Sequence, residues 1–307
     1  MKITFLGTGA GEGYPGAWCE CPHCSYARKH GGKNIRTYSS AVIDDVLLLD
    51  MGPATFVNAA HFGVNLAHVH TLLVTHPHED HFFPLMMRCR NADGDPAGKP
   101  YTQLLSHTGA CMTKPPLFTI YGSHYVRESI ESYLNIVDHP TIRSTAGGKT
   151  LEDFAGFMDR AGVRYAPTKE GVAFTAGGYT VTPVRGMHIT RDYAYSYIVE
   201  KDGKSLLYAL DTSGFEEDMM AIIRAHRFDL VVMEGTFGLN GKTESHMGLE
   251  SNIRLLDALR ESGCMKPGAR CLLSHMSPHW CPPHDWYAAI VEPHGIELAY
   301  DGLSVEL

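Results

Sequence analysis

The sequence predicts an α/β protein in which two β-sheets pack face to face between layers of helices. Short apolar runs typical of strands dominate the first half of the chain, and helical stretches then interleave with further strands. Many of these runs end in polar loops, and a pair of sheets covered by helices would bury such a pattern. Because 44% of the 307 residues are apolar, the chain can form a large packed core.

The individual elements follow from local periodicity and turn signals. The predicted strands are 2–6, 40–43, 46–50, 71–75, 117–121, 179–184, 194–200, 205–210, 230–234 and 270–274. The predicted helices are 53–62, 123–134, 216–226, 249–261 and 283–291. Asp44 and Asp45 lie between two predicted strands and indicate a hairpin turn. Pro53 and Pro283 stand where the first turn of a helix tolerates proline.

Two stretches between these elements have the character of insertions. Residues 91–116 are rich in glycine, proline and polar residues, and residues 138–178 are mixed in composition and carry two glycine pairs. Both stretches lie between core elements. We therefore expect lids or homodimer contacts within a single domain over 1–307, rather than a second domain.

The composition argues against several classes of protein. The chain carries 26 basic and 34 acidic residues, and this net charge of −8 argues against a broad contact surface for nucleic acid. No apolar run reaches the length of about 18 residues that predicts a membrane span. The first residues, Met1 to Gly7, enter a strand-like pattern without the apolar core of a signal peptide. We therefore expect a cytoplasmic protein, and its eight cysteines are not spaced like a disulfide framework.

The most informative segment follows the fourth predicted strand. Residues 76–81 read His-Pro-His-Glu-Asp-His and place three imidazoles and an aspartate in the spacing H-x-H-x-D-H. Imidazole nitrogens beside a carboxylate oxygen suit Zn²⁺, Mn²⁺ or Fe rather than Ca²⁺. His76 and His78 can reach one metal from an extended loop, while Asp80 and His81 can face a second. The spacing excludes the H-E-x-x-H motif of zinc proteases.

This motif resembles the signature of the metallo-β-lactamase superfamily. The resemblance implies an αββα sandwich with a two-metal hydrolase site at one edge. Further ligands in that family follow later strands, and a His, an Asp and a His stand in that order after predicted strands of this chain. A bridging carboxylate holds two ions about 3.5–4 Å apart, which suits displacement at phosphorus. The resemblance assigns the first metal to His76, His78 and His188, the second to Asp80, His81 and His275, and the bridging position to Asp211.

A second cluster lies near the start of the chain, where residues 19–24 read Cys-Glu-Cys-Pro-His-Cys. The pattern C-x-C-x-x-C offers three thiolates to a structural zinc, which needs a fourth ligand. A redox role would require a helix that begins at the C-x-x-C motif within a βαβ unit, and none is predicted there. Together with the glycine-rich stretch 7–13, this loop resembles the PhnP-type phosphodiesterases of phosphonate catabolism. That resemblance implies a structural zinc on Cys19, Cys21 and Cys24.

The fourth ligand of this zinc is where the chain departs from the PhnP-type pattern. In that family a His completes the zinc site at the end of an H-x-x-H motif whose first His binds the active-site metal. Here His279 follows His275 by four positions rather than three. We expect His279 to be the ligand, with Cys281 and His23 as alternatives.

A further histidine is the candidate proton donor. His246 lies in the sequence Glu-Ser-His-Met-Gly ahead of a predicted helix. The PhnP-type enzymes and the related tRNA 3′-processing nucleases place a proton-donating His in this region. A departing alkoxide needs a proton, and histidine is the usual donor near neutral pH. The resemblance therefore implies that His246 is the general acid and that Asp80 also serves catalysis. Arg36 and Arg185 could clamp a phosphate, but neither is assigned that role.

One principal hypothesis follows, with three alternatives. The principal one is a hydrolase with two active-site metals, Zn or Mn, and one structural Zn. It would cleave a small or cyclic phosphodiester through a metal-bridging hydroxide and a His general acid. A tRNase Z-like endoribonuclease would need a basic arm, and neither insertion is strongly basic. A hydrolase of another substrate class and a non-catalytic metal-binding protein remain open, because fold alone does not fix function. The related PqqB proteins share the cysteine loop but lack the complete H-x-H-x-D-H motif, so the full motif here argues against an inactive site.

Overall fold

The computed structural model describes residues 1–90, 116–137, 154–188, 194–241 and 245–307. The strands are β1 (Lys2–Gly7), β2 (Ser40–Ile43), β3 (Leu47–Leu49), β4 (Thr71–Leu73), β5 (Phe118–Gly122), β6 (Val163–Pro167), β7 (Phe174–Ala176), β8 (Tyr179–Gly186), β9 (Ala194–Lys201), β10 (Lys204–Ala209), β11 (Phe228–Glu234), β12 (Met265–Ser274), β13 (Glu297–Leu298) and β14 (Ser304–Glu306). The α-helices are α1 (Pro22–His30), α2 (Thr55–His61), α3 (His124–Val137), α4 (Phe154–Ala161), α5 (Glu217–Arg224), α6 (Leu249–Glu261) and α7 (His284–Val291). Short 3-10 helices cover Gly32–Asn34, Pro84–Cys89 and Glu292–His294.

The strands form two seven-stranded mixed sheets. The first has the order β14-β1-β2-β3-β4-β5-β6, and the second has the order β13-β12-β11-β10-β9-β8-β7. In the first sheet β3, β4, β5 and β6 run parallel. In the second sheet β10, β11, β12 and β13 run parallel. Each sheet therefore has a block of parallel strands whose carboxyl ends lie at the same edge.

Three apolar layers hold these elements together. The central layer contains inward-facing side chains of both sheets, including Phe5, Leu49, Tyr197 and Leu230. A second layer packs α5, α6 and α7 on the outer face of the second sheet. A third packs α2, α3 and α4 on the outer face of the first sheet. The order helix, sheet, sheet, helix confirms the αββα sandwich that the sequence predicts.

Local sequence explains several of these elements directly. Asp44 and Asp45 adopt φ of 49° and 55° between the antiparallel strands β2 and β3. Two positive φ angles are the mark of a tight hairpin turn, and aspartate tolerates them better than most residues. In α6, Asn252, Leu256 and Leu259 are buried. Their spacing places them on one face of the helix, which packs on the sheet.

The structure contains elements that the sequence-based expectation does not include, among them the last two strands, β13 and β14, and two further differences have a clear physical reason. The stretch 138–178 is not simply an insertion, because β6 and β7, which form one edge of each sheet, lie within it. Edge strands are short and half-exposed, so their apolar alternation is weak. Residues 91–115 lie outside the described residues, and the predicted insertion at 91–116 stays a prediction. None of the helices in the described ranges combines the length and apolar composition needed to cross a bilayer.

The second difference is α1, which begins at Pro22 inside the C-x-x-C motif. A helix was not predicted there, and it lies between β1 and β2, which pair antiparallel and so do not form the βαβ unit of the redox motif. Pro22 occupies the first turn of the helix, where its missing N–H costs nothing, and basic residues fill the last turn. The short length and the polar composition of α1 hide it from an analysis of apolar periodicity.

Candidate metal centre

The candidate ligands meet where strands of both sheets end. His76 and His78 follow β4, His188 follows β8, Asp211 follows β10 and His275 follows β12. Of these strands, β4, β10 and β12 belong to the parallel blocks. Polar loops beyond the carboxyl ends of parallel strands commonly form binding sites. The sandwich therefore brings together residues that are far apart in the chain.

One group consists of His76, His78 and His188, whose ligand atoms all lie within 4.8 Å of one another. Nε2 of His76 is 2.8 Å from Nδ1 of His78. Nδ1 of His188 donates to the carbonyl of Ser245 over 3.0 Å, which leaves the lone pair on Nε2. This Nε2 is buried and has no hydrogen-bond partner among the described residues. Such an atom is a suitable metal ligand.

A second group consists of Asp80, His81 and His275. Nε2 of His81 lies 3.0 Å from Nε2 of His275 and 3.3 Å from Oδ2 of Asp80. The other ring nitrogens already have partners: Nδ1 of His81 is 2.8 Å from Oδ2 of Asp50, and Nδ1 of His275 is 2.7 Å from Oγ1 of Thr236. Both Nε2 atoms can therefore present lone pairs to the same point.

Asp211 joins the two groups, because its carboxylate lies within 4.8 Å of ligand atoms of His76 and His188 in the first group and of His81 in the second. Its Oδ2 lies 2.6 Å from Nε2 of His81 and 3.2 Å from Nε2 of His275. This oxygen is buried against these imidazole nitrogens. Burial raises the pKa of Asp211, but positive charge on His275 and His81 outweighs burial and holds that pKa well below its ordinary value. An ionised, buried carboxylate requires positive charge beside it, which protons or metal ions can supply.

The electrostatics of this centre fit divalent cations. Burial lowers the pKa of His81, but the carboxylates of Asp211, Asp80 and Asp50 outweigh it and raise that pKa well above its ordinary value. The region around Nε2 of His81 thus favours a positive charge. Imidazoles mixed with carboxylates are the ligand set of Zn²⁺ and Mn²⁺ sites. The residues that the structure brings together therefore fit the metals that the sequence predicts.

His246 lies at the border of this centre. Its Nδ1 is 3.1 Å from Oε2 of Glu234 and 3.4 Å from Oδ1 of Asp211. Its ring is 4.9 Å from the ring of His188 and is stacked on that of His275 at 5.9 Å. His188, Asp211 and His246 also have the mutual distances of a metal-binding group. The position of His246 is thus compatible with a proton donor and with a metal ligand.

The three thiols of the cysteine loop also lie together. The Sγ atoms of Cys19, Cys21 and Cys24 are within 4.8 Å of one another. Cys21 precedes the first residue of α1, and Cys24 is buried in its first turn. The backbone N–H of Gly16 donates to Sγ of Cys24 over 3.2 Å, and that of Cys21 donates to Sγ of Cys19 over 3.5 Å. Burial raises the pKa of the Cys24 thiol to about 12 against the opposing effect of the Gly16 N–H, so a bound zinc would have to displace the proton to obtain the thiolate that it prefers.

The sequence matches the model of a known protein family. The family model described as the β-lactamase superfamily domain matches residues 46–276, about three quarters of the chain. The chain belongs to the β-lactamase superfamily. Members with this fold are metal-dependent hydrolases, and the chain is assigned to that class. No curated protein sequence matches the chain.

Several solved structures share the whole fold of this chain. A diphosphatase from the PhnP family superposes with a TM-score of 0.71 at 19% identity, over 100% of this chain and 98% of the other. Zn²⁺-bound PqqB from Methylobacterium extorquens gives 0.67 at 21% identity, over 100% of both chains. The short form of human tRNase Z gives 0.59 at 20% identity, over 100% of this chain and 99% of the other. At these identities the similarity establishes the fold.

Within this superfamily fold, the candidate ligands are supported by residues that were not predicted from the sequence. Asp50 closes β3, is fully buried and adopts a left-handed backbone with φ of 58°. Its carboxylate accepts hydrogen bonds from the N–H and the hydroxyl of Thr75 and from Nδ1 of His81. The sequence does carry one signal for Asp50, which is its position directly after the apolar run Leu47–Leu49. An aspartate at the end of a buried strand is rarely buried unless it has a polar or charged partner.

Glu234 and Thr236 support His275 and His246 in the same way. Glu234 ends β11 and is fully buried, and burial raises its pKa well above its ordinary value. Its carboxylate accepts hydrogen bonds from the hydroxyl of Thr236 and from the backbone N–H of Met247. The hydroxyl of Thr236 also lies against Nδ1 of His275. Glu234 therefore connects the loop of His246 to a candidate metal ligand.

The fourth ligand of the cysteine site stays a prediction. His279 is 48% exposed at its side chain, and its Nε2 lies 3.7 Å from Oε1 of Glu12. Cys281 is buried, and its thiol donates to the carbonyl of Gly235. His23 forms a hydrogen bond through Nδ1 with the carbonyl of Pro278. All three candidates for the fourth ligand thus contact groups other than the three thiols, and these contacts do not distinguish between the candidates.

The two arginines considered as phosphate clamps have protein partners. The guanidinium of Arg36 is buried and donates to the hydroxyl of Thr8, the carbonyl of Ala299 and Nδ1 of His284. Arg185 forms ion pairs with carboxylates of Glu170, Glu216 and Asp218. Arg36 therefore serves to join the two ends of the chain, and Arg185 serves to attach the start of α5 to β8.

Proposed function

We propose that the protein is a dinuclear metal-dependent phosphodiesterase that cleaves a small or cyclic phosphodiester, with His246 as the general acid. One observation carries the proposal: an imidazole beside the metal centre is also held by a buried carboxylate, that of Glu234. A net charge of −8 supports a small substrate over tRNA.

We assign each residue of this centre either to holding an ion or to orienting a ligand. We assign Asp211 to both ions, because its carboxylate lies against ligands of both groups. When bound, the ions would supply Lewis acidity and lower the pKa of water. Asp50 and Thr236 orient the ligand rings through their Nδ1 atoms. The first ion would be held by His76, His78 and His188, the second by Asp80, His81 and His275, and a structural zinc by Cys19, Cys21 and Cys24.

His246 handles the proton of the leaving group. Glu234 contacts Nδ1 of the ring, so Nε2 is the atom that can carry a proton toward the substrate. A carboxylate bound to Nδ1 fixes the tautomer and the orientation of a catalytic histidine. Departure of an alkoxide needs this proton, whereas departure of a p-nitrophenolate hardly does. The identity of the leaving group therefore provides the test.

The variant His246→Ala distinguishes a role of His246 as proton donor from a role as metal ligand. We expect kcat for an alkyl phosphodiester to fall about 10²- to 10⁴-fold, kcat for a p-nitrophenyl diester to fall far less, and metal content to stay unchanged. His226→Ala, a histidine outside the centre that pairs with Glu200, is the control. Equal losses on both esters contradict the acid role, and a parallel loss of metal identifies His246 as a ligand.

Metal analysis tests the rest of the assignment. The purified protein should contain about three metal ions per chain, two in the active site and one on the cysteine loop. Cys24→Ser should remove only the latter. A protein with full metal content that is inactive on a panel of phosphodiesters would overturn the proposed function.

A further inference from the structure

An aromatic pair stands directly beside His246. The ring of Phe237 is 5.3 Å from the ring of His246, and the two meet edge to face at 73°. The ring of Trp280 is 6.3 Å from that of Phe237, at 83°. We call Phe237 and Trp280 the aromatic wall. It extends from the proposed general acid to Trp280, which is partly exposed to solvent.

The backbone holds the aromatic wall in place. The N–H of Phe237 donates to the carbonyl of Met247, and the N–H of Leu239 donates to the carbonyl of Trp280. Between them, Gly238 has a left-handed backbone with φ of 44°, and a Cβ there would lie 2.3 Å from the carbonyl oxygen of Trp280. Only glycine allows the two loops to approach this closely. The wall is thus fixed before any substrate binds.

The exposure of the wall is more than packing alone requires. Trp280 is 41% exposed and Leu239, next to it, is 53% exposed, while Phe237 is half-buried. Large apolar side chains are usually buried, and adjacent exposed ones commonly mark a binding surface. The position of these residues beside a catalytic centre suggests what they bind.

We infer that the aromatic wall binds a planar aromatic group on the leaving alcohol of the substrate. The inference rests on the proposed function, because a general acid contacts the leaving oxygen. The group attached to that oxygen must lie next to His246, where Phe237 and Trp280 stand. Flat aromatic rings pack on such side chains edge to face or offset, a geometry that a saturated ring cannot match. An aryl or nucleobase substituent meets this requirement.

A matched pair of substrates tests the inference. Benzyl methyl phosphate and cyclohexylmethyl methyl phosphate carry leaving alcohols of similar size and basicity, and only the first contains an aromatic ring. The release of each alcohol by the metal-loaded enzyme gives kcat/KM for each ester. We expect a preference of about tenfold for the benzyl ester, the size of one good aromatic contact.

Substitutions in the wall should remove this preference. Phe237→Leu and Trp280→Leu should each bring the ratio of kcat/KM close to unity, whereas Phe237→Tyr and Trp280→Phe should retain it. Trp286→Leu is the matched control, because Trp286 is also exposed but packs on Tyr26 of α1. Metal content shows that each variant is folded. If Phe237→Leu loses metal, the test depends on Trp280→Leu, because Trp280 is more exposed.

The outcomes separate this inference from the function on which it rests. Equal rates for the two esters in the wild type overturn the inference and leave the phosphodiesterase intact. The same holds if the leucine variants slow both esters equally. If neither these esters nor any other phosphodiester is hydrolysed, both proposals fail.

Discussion

The buried contact between Arg36 and His284 should make the stability of the fold depend on pH. Nη2 of Arg36 donates to Nδ1 of His284 over 2.9 Å, so this nitrogen is an acceptor and the ring is neutral. Burial, followed by the positive charges of Arg36 and Lys33, lowers the pKa of His284 from 6.5 to about 3. A proton on His284 would place two cations in contact inside the protein.

The size of the effect follows from this shift. Between about pH 3 and pH 6.5 the unfolded chain binds a proton at His284 that the folded protein does not, so stability falls as pH falls through this range. The ordinary pKa lies 1.5 units above pH 5, and at about 1.4 kcal/mol per unit His284 lowers the free energy of unfolding by about 2 kcal/mol between pH 8 and pH 5.

The variant His284→Gln isolates this contribution. Oε1 of glutamine can accept the hydrogen bond from Arg36, but the side chain does not titrate. Urea unfolding of the metal-loaded protein at pH 8 and pH 5 measures the free energy of unfolding, and loss of metal at acid pH affects both proteins alike. We expect the variant to lose about 2 kcal/mol less than the wild type on acidification.

A matched substitution at His294→Gln, an exposed histidine close by in the chain, should show the pH dependence of the wild type. If wild type and His284→Gln lose the same stability between pH 8 and pH 5, the argument from the neutral acceptor is wrong. His284 would then accept a proton in the folded protein without loss of stability, which its contact with Arg36 does not allow.

Two further predictions concern residues next to the candidate site. Asp50→Asn keeps a side chain that tolerates φ of 58° but removes a buried carboxylate, and a chelator titration should show metal affinity about 10- to 100-fold lower. Asp44→Asn, which is also left-handed but lies in the hairpin turn, should bind metal normally. Gly238→Ala places Cβ 2.3 Å from the carbonyl oxygen of Trp280 and should cost about 2–4 kcal/mol in urea unfolding, whereas Gly241→Ala, with open space around it, should be nearly neutral.

Features whose cause is local were predictable from the sequence. The hairpin at Asp44 and Asp45 depends on two neighbouring residues, and the central strands carry their apolar pattern within themselves. The edge strands β6 and β7 are short and half-exposed, and α1 is short and polar, so their stability comes from the elements they pack against. Tertiary packing overrides local propensity in such elements.

The sequence by itself determined that His76, His78, Asp80 and His81 lie close together, because adjacent residues on one loop cannot lie far apart. It did not determine which carboxylates would surround them. Only the tertiary structure brings strand ends of two sheets to one edge and places Asp50 against His81 and Glu234 against His246. Contacts of this kind depend on sheet order and register, which no short sequence pattern records. They decide the charge and hydrogen bonding around each ligand.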